Sequence, residues 1–508
     1  MKQSSTALKH AQRDHERKCT LKKKRKHRVD SQADEELRLL RGGKKKMFEE
    51  EELNETTWTS SRRLPLKAFL ECKRGSAANP RHQLKVGSKH GALQSRCAVA
   101  GEALQQVKQR PLQEDFLHAR LHPLLQCPDM SPSPSIPTSV ERVKAADVKV
   151  IAALGDSLTT AIGANGSTIL SIPFEFRQLS WSIGGYGTYQ NVITLANIFK
   201  LFNPGLLGPS PGATFHGRPV TVNQTGFNFA VTGHNTLNVS DQIRHMIKTF
   251  QSYPGLSFHQ DWKVVTVLIG MNDVCDYCKN KTLFSADSFI HYMTEALDMM
   301  MDKIPRTIVN VVQILPMKPL RDVHKPTLGC QLQKRFCSCL VQPEEDSPEL
   351  EELVQVNVQF QRKLRQLLDG DRFFKKDFAV VLQPFLAKAA PPRLPDGTVD
   401  SSFFTADCFH FTVKGHEELA KGLWNNMFQP EGEKEMIDTF SEPTKLICPP
   451  KEHPYIYTRP ESKSSSPTIK LSSLTTLLFS RLKRLQTAQN AAARLQTGAP
   501  RPARITPI

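Results

Sequence analysis

From residue 148 onward the chain switches between two hydrophobic periods. Residues 148–154 form a short, β-branched and nearly unbroken apolar run, as expected of a strand covered on both faces. Comparable runs recur at 227–231, 264–269, 308–314 and 378–382. Patterns of helical spacing lie between them. Residues 285–304 carry Phe289, Tyr292, Met293, Ala296, Leu297 and Met300 on one face. Residues 349–368 repeat the spacing with Leu353, Val356, Phe360, Leu364 and Leu367, and 416–428 with Leu419, Ala420, Leu423 and Trp424. Strands alternating with helices imply an α/β domain with a mostly parallel sheet and helices on both faces. That domain is expected over 147–459, with the irregular 316–348 stretch as an insertion.

The flanks read differently. Residues 1–110 hold lysine and arginine runs such as Lys22-Lys23-Lys24-Arg25-Lys26 but no sustained apolar period. They are expected to be a disordered basic leader. Residues 111–146 form a Pro/Ser-rich lead-in, and 460–508 a second basic, disordered tail. The formal charge of +18 on 508 residues partitions accordingly. Residues 1–110 hold 27 Lys+Arg against 13 Asp+Glu, residues 458–508 hold 9 against 1, and the stretch between holds 32 against 36. A nucleic-acid site needs its cations on the folded surface, so this balance argues against a nucleic-acid-binding core. No apolar run reaches the roughly 18–20 residues of a membrane span, and Met1 opens into polar residues rather than a signal peptide.

Eleven cysteines are present, three of them (Cys19, Cys72, Cys97) in the leader. The other eight are Cys127, Cys275, Cys278, Cys330, Cys337, Cys339, Cys408 and Cys448. Asn-x-Ser/Thr sequons fall at Asn165, Asn223, Asn238 and Asn280, with another at Asn54. Even cysteines and several sequons point to an oxidising, glycosylating compartment. A zinc site built from Cys275-x-x-Cys278 and Cys337-x-Cys339 is the alternative, but the second spacing is wrong for a zinc knuckle. Neighbours such as Cys275 and Cys278 are the easiest to close, although spacing does not determine connectivity.

In an open parallel sheet, active sites form at the carboxyl ends of the strands. Here those ends read Gly155-Asp156-Ser157-Leu158, Thr232-Gly233-His234-Asn235 and Gly270-Met271-Asn272-Asp273, with Asp407-Cys408-Phe409-His410 before the last helix. A hydroxyl, a backbone amide, a carboxamide, carboxylates and an imidazole are the parts of a serine hydrolase. The Gly-x-Ser-x-Gly elbow is absent, because Leu158 and Thr159 follow the serine. Alone, Asp156-Ser157 would be a helix cap and Asn272-Asp273 a turn. His234 could line the site without reacting, and His416 could pack or face solvent. Trp181 and the Gly184-Gly185-Tyr186-Gly187 loop could shape an acyl pocket.

In this order the four blocks resemble those of the GDSL or SGNH hydrolase superfamily. The text 150–163, Leu179-Ser-Trp-Ser-Ile-Gly-Gly185 and His410 with Trp424-Asn-Asn-Met427 resembles the membrane-associated phospholipase B family. The resemblance runs from about Cys127 to Tyr457 and covers neither leader nor tail. It implies a three-layer α/β/α SGNH-hydrolase-like fold, with Ser157 as nucleophile and His410 as base. It also implies an oxyanion hole of the Ser157 and Gly233 N–H groups and the Asn272 side chain, and no metal or cofactor. The implied substrates are glycerophospholipids and lysophospholipids at a membrane or micelle surface, with retinyl esters and acylglycerols as further candidates, cleaved by a monomer. Family members carry tandem repeats, a signal peptide and a membrane anchor and work at the apical, extracellular face; this chain shows a single repeat. The alternatives are a carbohydrate O-acetylesterase of the same superfamily, or an inactive basic binding isoform.

Two carboxylates compete to orient His410. The wider superfamily places the acid three residues before the histidine, at Asp407; phospholipase B precedent favours Asp273. In an extended loop Asn272 and Asp273 would point to opposite sides, which favours Asp407 if Asn272 faces the substrate.

Overall fold

Strand β1 (Val148–Gly155) is buried at all but one of its positions, as an unbroken β-branched run requires. The computed structural model describes residues 121–323 and 327–458. The expected leader over 1–110 and tail over 460–508 lie outside them. After β1 come a one-turn helix α1 (Ser157–Thr160), strand β2 (Phe174–Glu175), helix α2 (Leu195–Phe202) and strand β3 (Thr214–Phe215). Helix α3 (Val239–Ser252), strand β4 (Trp262–Leu268), short helix α4 (Met271–Asp276) and helix α5 (Ala286–Lys303) follow. The chain continues through β5 (Thr307–Val312), helix α6 (Pro348–Leu368), β6 (Phe374–Lys375), β7 (Phe378–Gln383) and the last long helix, α7 (Val413–Met427).

The main sheet has the order β1-β4-β5-β7-β6. Its first four strands are parallel, and only β6 runs antiparallel, in a hairpin with β7. Every residue of β4 and β5 is buried. Helices α3, α5 and α6 pack together as one layer, with Phe289 of α5 stacked on Phe360 of α6 at 4.4 Å between ring centroids. Helices α2 and α7 form a second group, where Phe199 meets Trp424 edge-on at 5.6 Å. Serine caps set the helix starts: the Ser285 and Ser347 side chains accept the N–H groups of Ser288 and Leu350.

One expected strand fails to form a ladder. Residues 227–231 run along the free edge of β1, where Ala153 N–H donates to the Phe227 carbonyl and Phe229 and Val231 N–H donate back to β1. The pairing lacks one bond, because Gly155 N–H donates to Gln242 Oε1 rather than to this segment, while on the other side Asn228 Oδ1 accepts from Ala230 N–H. The Asn228 and Ala230 carbonyls are taken by the Arg177 guanidinium rather than by a neighbouring strand.

Four disulfides pair the eight domain cysteines: Cys127–Cys448, Cys275–Cys337, Cys278–Cys339 and Cys330–Cys408. Cys275 does not close on Cys278. A three-residue helical spacing puts both thiols on one side, where each reaches the insertion instead. With Cys275 bonded to Cys337 and Cys278 to Cys339, the four thiols of the zinc alternative are engaged as disulfides. The lead-in and closing segments are tied to the domain: Cys127 bonds Cys448, Trp262 Nε1 donates to the Pro137 carbonyl, and Ile456 N–H donates to that of Val143. Asn223 and Asn280 are exposed. Among the described residues, no helix is long and apolar enough to cross a membrane.

Candidate active site

Strand β1 ends at Gly155, whose φ of +152° falls where side-chain-bearing residues are rare. An added Cβ would lie 2.5 Å from the Leu268 carbonyl, so only glycine lets β1 leave the sheet this close to β4. Asp156 then caps α1: its Oδ1 accepts the Leu158 N–H at 3.0 Å, and its carbonyl accepts those of Thr159 and Thr160. Ser157 takes the first helical position, where an N–H has no intrahelical acceptor.

The Ser157 hydroxyl lies 2.9 Å from His410 Nε2, and His410 Nδ1 lies 2.7 Å from Asp407 Oδ2. Ser157 is 7% exposed, His410 5% and Asp407 not at all, so the relay is sealed at its carboxylate and reaches solvent only slightly at the imidazole and the serine. Asp407 Oδ1 accepts the Thr405 hydroxyl and the N–H groups of Phe409 and His410. Burial works to raise the Asp407 pKa, but the charge and hydrogen bonds of His410, with the Thr405 hydroxyl, outweigh it and hold it at about 2. It is therefore an anion at neutral pH, facing the imidazole.

Asp273 is elsewhere. Its carboxylate accepts the N–H and hydroxyl of Thr236, bracing the turn that leads into α3. Burial pushes its pKa up to about 7, against the Thr236 hydrogen bonds. The structure thus brings Asp407, and not Asp273, to His410. The local geometry also differs from the expected extended loop: Asn272 and Asp273 sit in α4, where successive side chains diverge by about 100°. Asn272 faces the pocket while Asp273 turns inward. Asp156 is likewise buried and raised to about 7 by that burial.

Asn272 Nδ2 donates to the His234 carbonyl at 2.8 Å, which leaves its second N–H for another acceptor. Gly233, with φ of +84°, lies in the exposed turn between Thr232 and His234. That turn is held from both sides, by Asn272 on His234 and by the Thr160 hydroxyl 2.8 Å from that of Thr232. His234 is half-buried, with Nδ1 3.1 Å from Gln242 Nε2. His416 is fully buried; its Nδ1 accepts the Trp181 N–H at 3.4 Å, and burial drops its pKa to about 3. Trp181 is fully buried in the core and Gly184 packs on the Gln178 backbone. Neither is among the residues that line the Ser157 pocket.

That pocket is lined by Ser157 and Asn272 together with Met271, Leu315, Met317 and Phe409 among others. The insertion closes one side of it. Cys330 is bonded to Cys408, Gln333 Nε2 donates to the Cys408 carbonyl at 2.9 Å, and the Phe336 ring stands 5.6 Å from that of His410.

A buried ion pair, silent in the sequence, supports the same turn. Glu175 Oε2 accepts the Arg177 guanidinium at 2.7 Å and the Thr214 hydroxyl, and its Oε1 accepts the Thr232 hydroxyl. Burial would raise the Glu175 pKa, yet His216, the Arg177 charge and the two hydroxyls bring it to about 2. A Glu-x-Arg triplet running from the end of a two-residue strand into a short helical turn carries no distinguishing pattern, and nothing in the sequence marks it.

A nucleophile–imidazole–carboxylate relay at the carboxyl edge of a parallel sheet defines the class of serine hydrolases. The GDSL-like lipase/acylhydrolase family model matches residues 151–423, and the chain belongs to that family. It is 39% identical over 348 residues to phospholipase B1, membrane-associated, of Mus musculus, covering 67% of this chain and 23% of that protein. The protein of that name from Homo sapiens is 38% identical over 352 residues, 68% of this chain and 24% of the relative. The chain therefore spans about a quarter of the length of the relatives it matches.

Proposed function

We propose that this domain hydrolyses the fatty-acyl esters of glycerophospholipids and lysophospholipids, with Ser157 as nucleophile, His410 as base and Asp407 as the acid that orients it. The observation that carries the reading is the unbroken contact from Asp407 through His410 to Ser157. Nδ1–H donation to an ionised Asp407 leaves Nε2 free to accept the serine proton. Ser157 Oγ then attacks the ester carbonyl, and the N–H groups of Ser157 and Gly233 with Asn272 Nδ2 stabilise the oxyanion. His410 passes its proton to the leaving alcohol, and water, activated by the same imidazole, releases the fatty acid. No step needs a metal or cofactor.

The lipid part rests on the relatives' name and on a pocket wall of Leu, Met and Phe around the serine. The four disulfides and exposed sequons support action outside the cytosol. The test is fatty-acid release from palmitoyl-lysophosphatidylcholine compared with acetate release from an acetylated sugar. Preference for the lysophospholipid supports the reading; preference for the sugar ester transfers the chain to the O-acetylesterase alternative.

A further inference from the structure

Gly233 is exposed, and a Cβ built on it would meet nothing within 4 Å. Its turn is held by hydrogen bonds rather than by packing at that point. Thr232, the residue before it, donates its hydroxyl to Glu175 Oε1 at 2.7 Å. An ionised carboxylate only accepts, so the single hydroxyl proton of Thr232 is committed there. In the 2.8 Å contact between the Thr160 and Thr232 hydroxyls, Thr160 is therefore the donor. Thr160 ends helix α1, whose first residue is Ser157, and its hydroxyl also lies 3.2 Å from the Ser157 carbonyl. One chain of bonds thus runs from the nucleophile's helix through Thr160 and Thr232 to Glu175. Glu175 is itself fixed, since Arg177 Nη2 and the Thr214 hydroxyl occupy Oε2 at 2.7 and 2.6 Å. Arg177 Nη1 also holds the Ala230 carbonyl at 3.0 Å, and the half-exposed His216 ring stands 3.9 Å from Oε1. Further from the glycine, Asn228 Nδ2 joins the same two segments by donating to the Thr159 carbonyl at 2.8 Å.

We propose that Glu175, acting through the hydroxyls of Thr232 and Thr160, is a positioning residue that sets the distance between the backbone N–H groups of Ser157 and Gly233. The proposal rests on the reading that these two groups receive the oxyanion. Such donors act only when each stands about 2.7–3.1 Å from the place the oxyanion will occupy. Here one donor belongs to α1 and the other to a turn on a separate segment, so their spacing depends on what ties the segments together. The Thr160–Thr232 contact is a tie one residue from Gly233, and Glu175 holds its far end. Displacing one donor by about 1 Å costs on the order of 10² in rate. The loss falls on kcat rather than on substrate binding, because the oxyanion exists only beyond the ground state.

The experiment breaks the chain at either hydroxyl. Thr232→Val keeps the β-branched shape without the hydroxyl, and Thr160→Val breaks the link nearer the nucleophile. Each should lower kcat for palmitoyl-lysophosphatidylcholine at least about tenfold, with KM within about threefold of wild type. Thr232→Ser restores the hydroxyl and should return kcat to within about threefold of wild type. The double valine variant should lose no more than about threefold beyond the less active single variant, because both break one chain. Two ligands read the site without turnover. A long-chain trifluoromethyl ketone takes Ser157 Oγ onto its carbonyl carbon, leaving the carbonyl oxygen as an oxyanion while the serine proton passes to His410. A lysophospholipid with an ether in place of the ester cannot react. The valine variants should bind the ketone at least about tenfold more weakly and the ether analogue within about twofold of wild type. A folded Thr160→Val decides the case if Thr232→Val fails to fold. Equal loss on ketone and ether analogue, or no recovery in a folded Thr232→Ser, overturns the proposal. So does kcat within about twofold of wild type in folded valine variants, which leaves the catalytic reading standing. Wild-type protein that neither hydrolyses the ester nor binds the ketone overturns both together.

Discussion

Replacing Asp407 by asparagine separates the two carboxylates that compete for His410. In the native protein Oδ1 of Asp407 accepts three donors, from Thr405, Phe409 and His410, while Oδ2 faces His410 Nδ1 at 2.7 Å. The three donors will hold the asparagine oxygen in the Oδ1 position, which forces its NH2 toward Nδ1. Nδ1 must then be the unprotonated nitrogen, so the proton moves to Nε2 and His410 no longer accepts from Ser157. The wrong tautomer costs on the order of 10²–10⁴ in kcat/KM, roughly 3–5 kcal/mol of transition-state stabilisation. The fold should survive, because the three Oδ1 bonds are kept. Asp273→Asn keeps an acceptor for Thr236 and touches no reacting group, so its rate should stay within about tenfold. Steady-state kinetics on a lysophospholipid, with thermal unfolding of each variant, read the pair. A large loss in Asp273→Asn at unchanged stability, with Asp407→Asn near wild type, would refute the reasoning. Loss in neither would reduce the relay to a Ser157–His410 dyad.

Three further outcomes follow from the same contacts. Arg177→Met strips a buried Glu175 of its charge partner and should cost about 3–5 kcal/mol, read as a lower urea midpoint; an unchanged midpoint would mean the pair is not buried as described. The double variant Cys330→Ser, Cys408→Ser releases the insertion from the loop carrying Asp407 and His410, and should cost about 2–4 kcal/mol of stability and more than about tenfold in kcat; full activity would show that the loop holds without the insertion. Asp273, with a folded pKa near 7 against an ordinary 3.8, contributes stability that is present at low pH and is lost as pH rises through 7. Urea midpoints of Asp273→Asn should accordingly decline less between pH 5 and pH 8 than those of wild type, and an identical decline would place the titration on another group.

The strands were legible where burial on both faces demanded unbroken β-branched runs, as in β1, β4, β5 and β7. Residues 227–231 have the same texture but only a partial pairing with β1, because the Gly155 N–H that would continue it donates to Gln242 Oε1, a partner no local pattern reveals. Helices α2 and α3 escaped the periodicity reading, whereas α5, α6 and α7 did not. Ser157, Asn272 and His410 stood out because chemistry-bearing residues gather at strand ends of a parallel sheet. The choice between Asp407 and Asp273 was not available from sequence, since both follow the spacing of a known precedent and only their tertiary partners differ. Disulfide partners depend on the same long-range placement.

The most direct test of the account is covalent. Wild-type protein treated with a fluorophosphonate should gain one phosphonyl group, mapped by peptide mass spectrometry to Ser157, with loss of lysophospholipid hydrolysis in proportion to labelling. Ser157→Ala should gain none. Labelling of a different residue that abolishes activity, or full hydrolysis by Ser157→Ala, would contradict the assignment of Ser157 as nucleophile and the mechanism built on it.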